Sequence, residues 1–158
     1  MKCIQCGTEM AETRGDHKYR ELPGLLLRGV RFRHCPNCGE EEVSIPRIER
    51  LHRAVALALA AKPERLTNNE IRFLRKHLGW SRDDCAGIMD VVPETVSRWE
   101  NGRIPMSRMA ERFLRLAVIR LEPVSDYPSE RLRDVATRKA RPLKAVMEPT
   151  GDGWQAVA

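Results

Sequence analysis

The chain has 158 residues, room for one ordinary domain or two small ones, and an aromatic content of 5% excludes a large apolar core. A small unit with so little to bury needs some staple besides apolar contact. The formal net charge of +6 permits a polyanionic partner, yet residues 1–45 carry 7 basic and 7 acidic side chains, residues 46–65 carry 5 and 2, residues 66–122 carry 10 and 8, and residues 123–158 carry 6 and 5, so no segment is a polybasic tail. The stretch Met1–Met10 lacks the basic-then-apolar run of a signal peptide, and no apolar run approaches the roughly 20 residues that cross a bilayer. The expectation is a cytoplasmic protein with no membrane partner, in a reducing setting where paired cysteines hold metal rather than form disulfides.

Cys3-Ile4-Gln5-Cys6-Gly7 and Cys35-Pro36-Asn37-Cys38-Gly39 repeat one pattern, with 28 residues between Cys6 and Cys35. A two-residue gap lets both thiolates of a tight turn face one ion, and the glycine after the second cysteine relieves the backbone there. Two such pairs complete a tetrahedral sulfur site, which suits Zn²⁺. The competing chemistries are a redox dithiol, which belongs in a βαβ unit that neither pair has around it, and an iron–sulfur cluster. His34 stands beside Cys35, but four cysteines already close the shell; Cys85 lies in a helical pattern and reads as a small core residue. A closed site leaves no position for water or substrate, so it argues for structure over catalysis, and no enzyme is expected. Four metal-bound thiolates also leave this otherwise neutral segment negative, a poor DNA binder. Between the pairs, residues 18–22 and 25–33 read as strands flanking the Pro23-Gly24 turn, with Gly29 to Arg33 alternating apolar and basic residues. The expected use is a small sheet that another protein touches.

From Pro46 the pattern becomes helical: Ile48, Leu51, Val55 and Leu59 form one stripe, Pro46 suits the first turn and Pro63 ends the run. This predicts a linker helix over residues 46–65 whose stripe packs on a neighbour or on a second copy. Thr67 and Glu70 then make a capping box before Ile71, Leu74 and Leu78, with Gly79 as the stop. A similar start at Ser81 to Asp84 opens a short helix through Met89. A third helix begins with Pro93 in its first turn and ends at Asn101-Gly102. A fourth begins near Ser107, with Met109, Phe113, Leu116 and Ile119 as its expected inner residues. Short helices with turns this tight form a compact all-α unit over residues 66–122.

On the third helix Val96 and Trp99 fall inward, which leaves Glu94, Thr95, Ser97 and Arg98 on or near the outer face. A helix bearing an arginine and short polar residues can enter the major groove, where arginine grips guanine with two hydrogen bonds and its neighbours hold phosphates. The alternative is a helical domain that binds only protein. The candidate DNA contacts are Arg82, Glu94, Thr95, Ser97, Arg98, Asn101 and Arg103.

The run Leu78-Gly79-Trp80-Ser81, then Ala86, Val91 and Thr95-Val96-Ser97-Arg98-Trp99-Glu100-Asn101-Gly102, resembles the Xre/Cro-type helix-turn-helix of bacterial and phage repressors. With the two cysteine pairs before it, the chain resembles the MqsA-type antitoxins, which carry a YgiT-type zinc finger; the resemblance covers residues 1–122. It implies a zinc-stabilised α+β N-terminal domain (1–45) joined by a helix (46–65) to an all-α helix-turn-helix domain (66–122). It implies also a finger that binds and neutralises a cognate toxin, often an mRNA-cleaving ribonuclease, and a homodimeric helical half that represses its own operon at a palindrome. Cys3, Cys6, Cys35 and Cys38 match the family's zinc ligands, and Arg98 matches its base-reading arginine. Glu94 stands where a second reader is asparagine; an acid accepts from cytosine instead of pairing with adenine. Ser81-Arg82 replaces a common Thr-Gln, Val92 is a weak N-cap, and Asp90 replaces the usual turn glycine.

After Leu121, Pro123, Pro128, Pro142 and Pro149 interrupt the pattern, with Gly151 and Gly153 near the end. Residues 129–140 make one candidate helix; the rest of 123–158 reads as a flexible tail with Trp154 as its one large anchor. Three functions compete: an antitoxin, a stand-alone Xre-type regulator with a structural or redox- or metal-sensing finger, and a zinc enzyme. The last needs an open coordination position and a nearby base, and the sequence offers neither sign.

Overall fold

The structure is a computed structural model that describes residues 1–121 and 135–157, a mixed α/β fold of two compact units. The first unit draws on residues 1–19, 24–51 and the C-terminal stretch from Lys144, and it is built on a five-stranded sheet. Its strands are β1 (Ala11–Lys18), β2 (Leu25–His34), β3 (Glu41–Ser44), β4 (Ala145–Pro149) and β5 (Trp154–Val157). Strand β2 is the spine. It pairs antiparallel with β1 along most of its length, antiparallel with β3 through Arg31 to His34, and parallel with β4 through Leu25 to Leu27. An irregularity between Gly15 and His17 lies opposite Gly29, whose φ of 72 lets the spine strand bulge there. Leu25, Leu27, Val30, Met147 and Trp154 are the buried apolar side chains of this sheet, and the Trp154 indole N–H donates to the Pro46 carbonyl at 3.0 Å.

Two expectations for this half do not hold, and one strand has no counterpart among them. The first strand is not at residues 18–22 but at Ala11–Lys18. It is polar and largely exposed, so it has no apolar alternation to betray it. Strand β3 was not anticipated. The flexible tail is in part a β-hairpin: β4 and β5 pair antiparallel across a turn in which the Thr150 N–H donates to the Gly153 carbonyl at 2.8 Å, and Met147 and Trp154 are its buried anchors. The candidate helix at 129–140 lies partly outside the described residues. Its described part, from Val135, is a turn, with Ala136 at φ 61 and Arg138 bridged to Glu64.

The second unit holds, among the described residues, 20–23, 52–121 and 135–143, and contains most of α1 (Ile48–Ala61) together with α2 (Asn68–His77), α3 (Arg82–Met89), α4 (Pro93–Glu100) and α5 (Arg108–Leu121). Leu51, Val55 and Leu59 of the α1 stripe are buried, while Ile48 is exposed. Both capping boxes form: Thr67 with Glu70 at the start of α2, and Ser81 with Asp84 at the start of α3. Asp90 ends α3 at φ 54, a left-handed conformation that aspartate tolerates better than most side chains, and so it stands in for glycine. Val92 makes no side-chain cap; Pro93 at the first helical position starts α4 instead.

The inner face of α5 differs from expectation. Met109, Phe113 and Leu116 are 83%, 42% and 37% exposed, and the buried residues are Glu111, Leu114, Arg115 and Val118. Arg115 explains the rotation. Its guanidinium donates to the carbonyls of Leu59, Ala60, Lys62 and Glu64, groups at and beyond the C-terminus of α1 that no intrahelical N–H can reach. It also donates to Glu111 at 2.8 Å, and Glu111 accepts from Arg65 and from the Leu66 N–H. A second buried pair, Lys62 with Glu70 at 2.6 Å, is completed by the Arg141 carbonyl and the Leu143 N–H, which fastens residues 141–143 to the helices. No described helix is long and apolar enough to cross a membrane.

Candidate functional site

The two cysteine pairs fold into the same turn. In each, the amide of the following glycine donates to the first cysteine's carbonyl (Gly7 to Cys3 at 2.9 Å, Gly39 to Cys35 at 3.0 Å). In each, the first cysteine's own N–H donates at 2.9 Å to the residue beyond that glycine, Thr8 or Glu40. Gly7 and Gly39 have φ of 73 and 75, the left-handed region that a side chain would strain. The repeated spacing therefore codes a repeated backbone.

These turns bring the sulfurs of Cys3, Cys6, Cys35 and Cys38 within 4.8 Å of one another. Cys3 Sγ lies 3.5 Å from Cys38 Sγ and Cys6 Sγ 3.4 Å from Cys35 Sγ, too far for disulfides, whose sulfurs sit about 2.05 Å apart. A zinc ion with bonds of about 2.3 Å needs its tetrahedral sulfurs about 3.8 Å apart, a few tenths of an ångström wider than these two contacts. The cluster can hold a metal ion, and its four sulfurs are consistent with zinc. Cys3 and Cys35 are buried with Met10 against them, while Cys6 and Cys38 are exposed.

The electrostatics also ask for a cation. Hydrogen bonds from the Thr8 side chain, then its amide and the Asn37 side chain, hold Cys6 down at about 5. At Cys38 the Glu40 amide pulls toward the thiolate, but the crowding sulfurs of Cys3 and Cys35 outweigh it and push the thiol up to about 12. Four thiolates this close cannot all ionise without a positive charge among them. His34 is exposed, with Nδ1 3.7 Å from Glu41, and is outside the sulfur cluster. Cys85 is buried in α3, where desolvation pushes its thiol up.

In the second unit, Val96 and Trp99 are buried, as the helix pattern of α4 requires, and the opposite face is open. Glu94, Arg98 and, beyond the helix, Arg103 are exposed; Thr95 and Ser97 are half-buried. Among the described residues no acid pairs with Arg98 or Arg103. Two other candidates have internal partners. Asn101 donates to Ser97 Oγ at 3.2 Å and accepts from Arg72 at 3.2 Å, so it finishes the helix. Arg82 Nε donates to Glu100 at 3.0 Å.

Glu100 is the residue that sequence reasoning missed. Its fully buried carboxylate also accepts from Nε and Nη2 of Arg75, and its backbone carbonyl accepts from Arg72 at 2.9 Å and Asn68 at 3.3 Å. Burial works against ionisation there, but Arg75 and then Arg82 outweigh it and hold the carboxyl below the ordinary range. The last turn of α4 is thus tied to α2 and to the start of α3. The available signal was one acid in the last turn of an arginine-facing helix, with Arg72, Arg75 and Arg82 left over on its neighbours.

No protein-family model matches this chain, and no curated protein matches it.

Proposed function

We propose that the protein is a type II antitoxin: the cysteine-bearing unit binds and neutralises a cognate toxin, and the helical unit is an Xre/Cro-type helix-turn-helix that represses its own operon. The observation that carries this reading is the coexistence, in one chain, of a closed four-sulfur cluster and the open, arginine-bearing face of α4 over its buried Val96–Trp99 side. A closed cluster stabilises a fold that this few aromatics cannot, and it leaves no coordination position for a reaction. Helix α4 enters the major groove with Arg98 on guanine, Glu94 accepting from cytosine and Arg103 near phosphate. Zn²⁺ is the metal held by Cys3, Cys6, Cys35 and Cys38.

A palindromic operator calls for a homodimer, and the helical unit has an apolar face available for it. Met109, Phe113 and Leu116 of α5 and Ile88 of α3 are exposed, and Met109, Phe113 and Ile88 border a groove of about 280 Å³ floored by Trp99 and Met89. The second reading, a stand-alone regulator with an oxidant- or metal-sensing finger, is favoured by the exposure of Cys6 and Cys38.

The deciding experiment is gentle purification of the native protein from its host with mass spectrometry of the eluate. A stoichiometric partner that arrests growth when expressed alone, and is silenced by this chain, establishes the antitoxin. A protein without partner that still binds DNA upstream of its own gene establishes the lone regulator.

A further inference from the structure

One face of the sheet carries an interrupted charge pattern. Residues directly opposite across a strand pair, and residues two apart along a strand, share a face. In one row Arg33 lies between Glu12 and Glu42, at 3.2 and 3.1 Å. In another, Arg28 lies between Asp16 and Glu148, at 3.9 and 2.7 Å. Each is an arginine flanked by two acids. The row between them breaks the rule: Arg31 lies opposite Arg14 on one side and Ser44 on the other. Arg14 is exposed and Arg31 half-buried, and among the described residues neither has an acidic partner. Like charges directly opposite each other destabilise a sheet. The arrangement is an anion slot one row wide, bounded on both sides by acids.

We propose that this slot, on the unit read above as toxin-binding, receives a single carboxylate from a protein partner whose surface there is acidic between two basic groups. The proposal rests on the antitoxin reading for the partner's identity but not for its chemistry. The flanking rows choose protein over nucleic acid. A polynucleotide presents an unbroken row of negative charge, so phosphates on either side of the one held by Arg14 and Arg31 fall on Glu12, Glu42, Asp16 and Glu148. A folded partner can alternate its signs and meet all three rows. Ser44 supplies a hydroxyl donor at the end of the slot.

The test is a titration of the metal-loaded full chain, nitrogen-labelled at arginine, with a synthetic strand carrying one glutamate with a lysine two residues away on each side. The expected result is saturable shifts of the Arg14 and Arg31 Nε signals, with a peptide bearing glutamate at all three positions, and an oligothymidylate, each about tenfold weaker. Arg14→Glu sets an acid directly opposite Arg31, so it should abolish the shifts and raise the melting midpoint. The milder Arg14→Gln should weaken binding with the rest of the spectrum unchanged. Absence of shifts at both arginines, shifts that survive Arg14→Glu, or tighter binding of either polyanion overturns the proposal. Because the probe is synthetic, these outcomes are independent of the host purification: recovery of no partner there removes the toxin and leaves the slot's chemistry to stand or fall on the titration.

Discussion

Glu100 and Arg98 are two residues apart on α4, one buried and the other exposed. Glu100 is a buried anion shared by Arg75 and Arg82, with Arg72 at 3.8 Å, and removing one member of such a cluster strands the others. Glu100→Ala should cost about 3–5 kcal/mol in chemical denaturation; a loss below ~1 kcal/mol would mean that the cluster is dispensable. The pH dependence follows from the sign of the shift. The folded carboxyl titrates below its ordinary value, so its stabilisation is complete at neutral pH and is lost as the pH falls through the acid range to the folded value. Arg98, by contrast, is exposed, so Arg98→Ala should leave stability unchanged. It should weaken operator binding by ~1–3 kcal/mol per half-site and relax base preference at one position, read by DNA titration across operator variants. Unchanged affinity would remove Arg98 from the interface.

At the scale of elements, the C-terminal hairpin adds two strands to the sheet. Strand β4 covers the edge of β2 at Leu25 to Leu27, and Trp154 closes onto Pro46. Deleting residues 144–158 should expose that edge and the apolar Leu25 and Leu27, lower the melting midpoint of the sheet, and speed metal loss to a chelator. Unchanged metal retention would show that the cysteine turns stand without the hairpin. The hairpin was illegible in the sequence because its stabilising partner is remote: Arg28 and Glu148, which pair across the β2–β4 junction, are 120 residues apart. Short strands carry little pattern of their own. Helix α5 was legible as a helix but not in its rotation. Two stripes fit its apolar spacing, and the buried one contains Glu111 and Arg115, charges that pattern reading places outside until the carbonyls of α1 are seen to need them.

For the whole molecule, the division into two units predicts separable failures. Cys35→Ser should abolish stoichiometric metal binding and unfold the sheet while the helical unit keeps its structure, a separation that NMR spectra of the variant can read; collapse of helical signals as well would contradict it. Phe113→Asp should convert the proposed homodimer to a monomer in light scattering and weaken operator binding while the metal is retained. A variant that remains dimeric would move the interface elsewhere.

By itself the sequence determined whatever is settled within one turn. The Cys-x-x-Cys-Gly spacing dictates a knuckle with a left-handed glycine, and Thr67–Glu70 and Ser81–Asp84 dictate helix starts, because each partner is within hydrogen-bonding reach along the chain. The inward Val96 and Trp99 of α4 follow from helical period alone. Only the tertiary structure decided that the last residues join the first sheet, that α5 turns two charges inward, that Glu100 gathers three arginines, and that Arg14 faces Arg31. Those contacts join positions far apart in the chain, and a buried charge or an added strand becomes favourable only once its distant partner is in place.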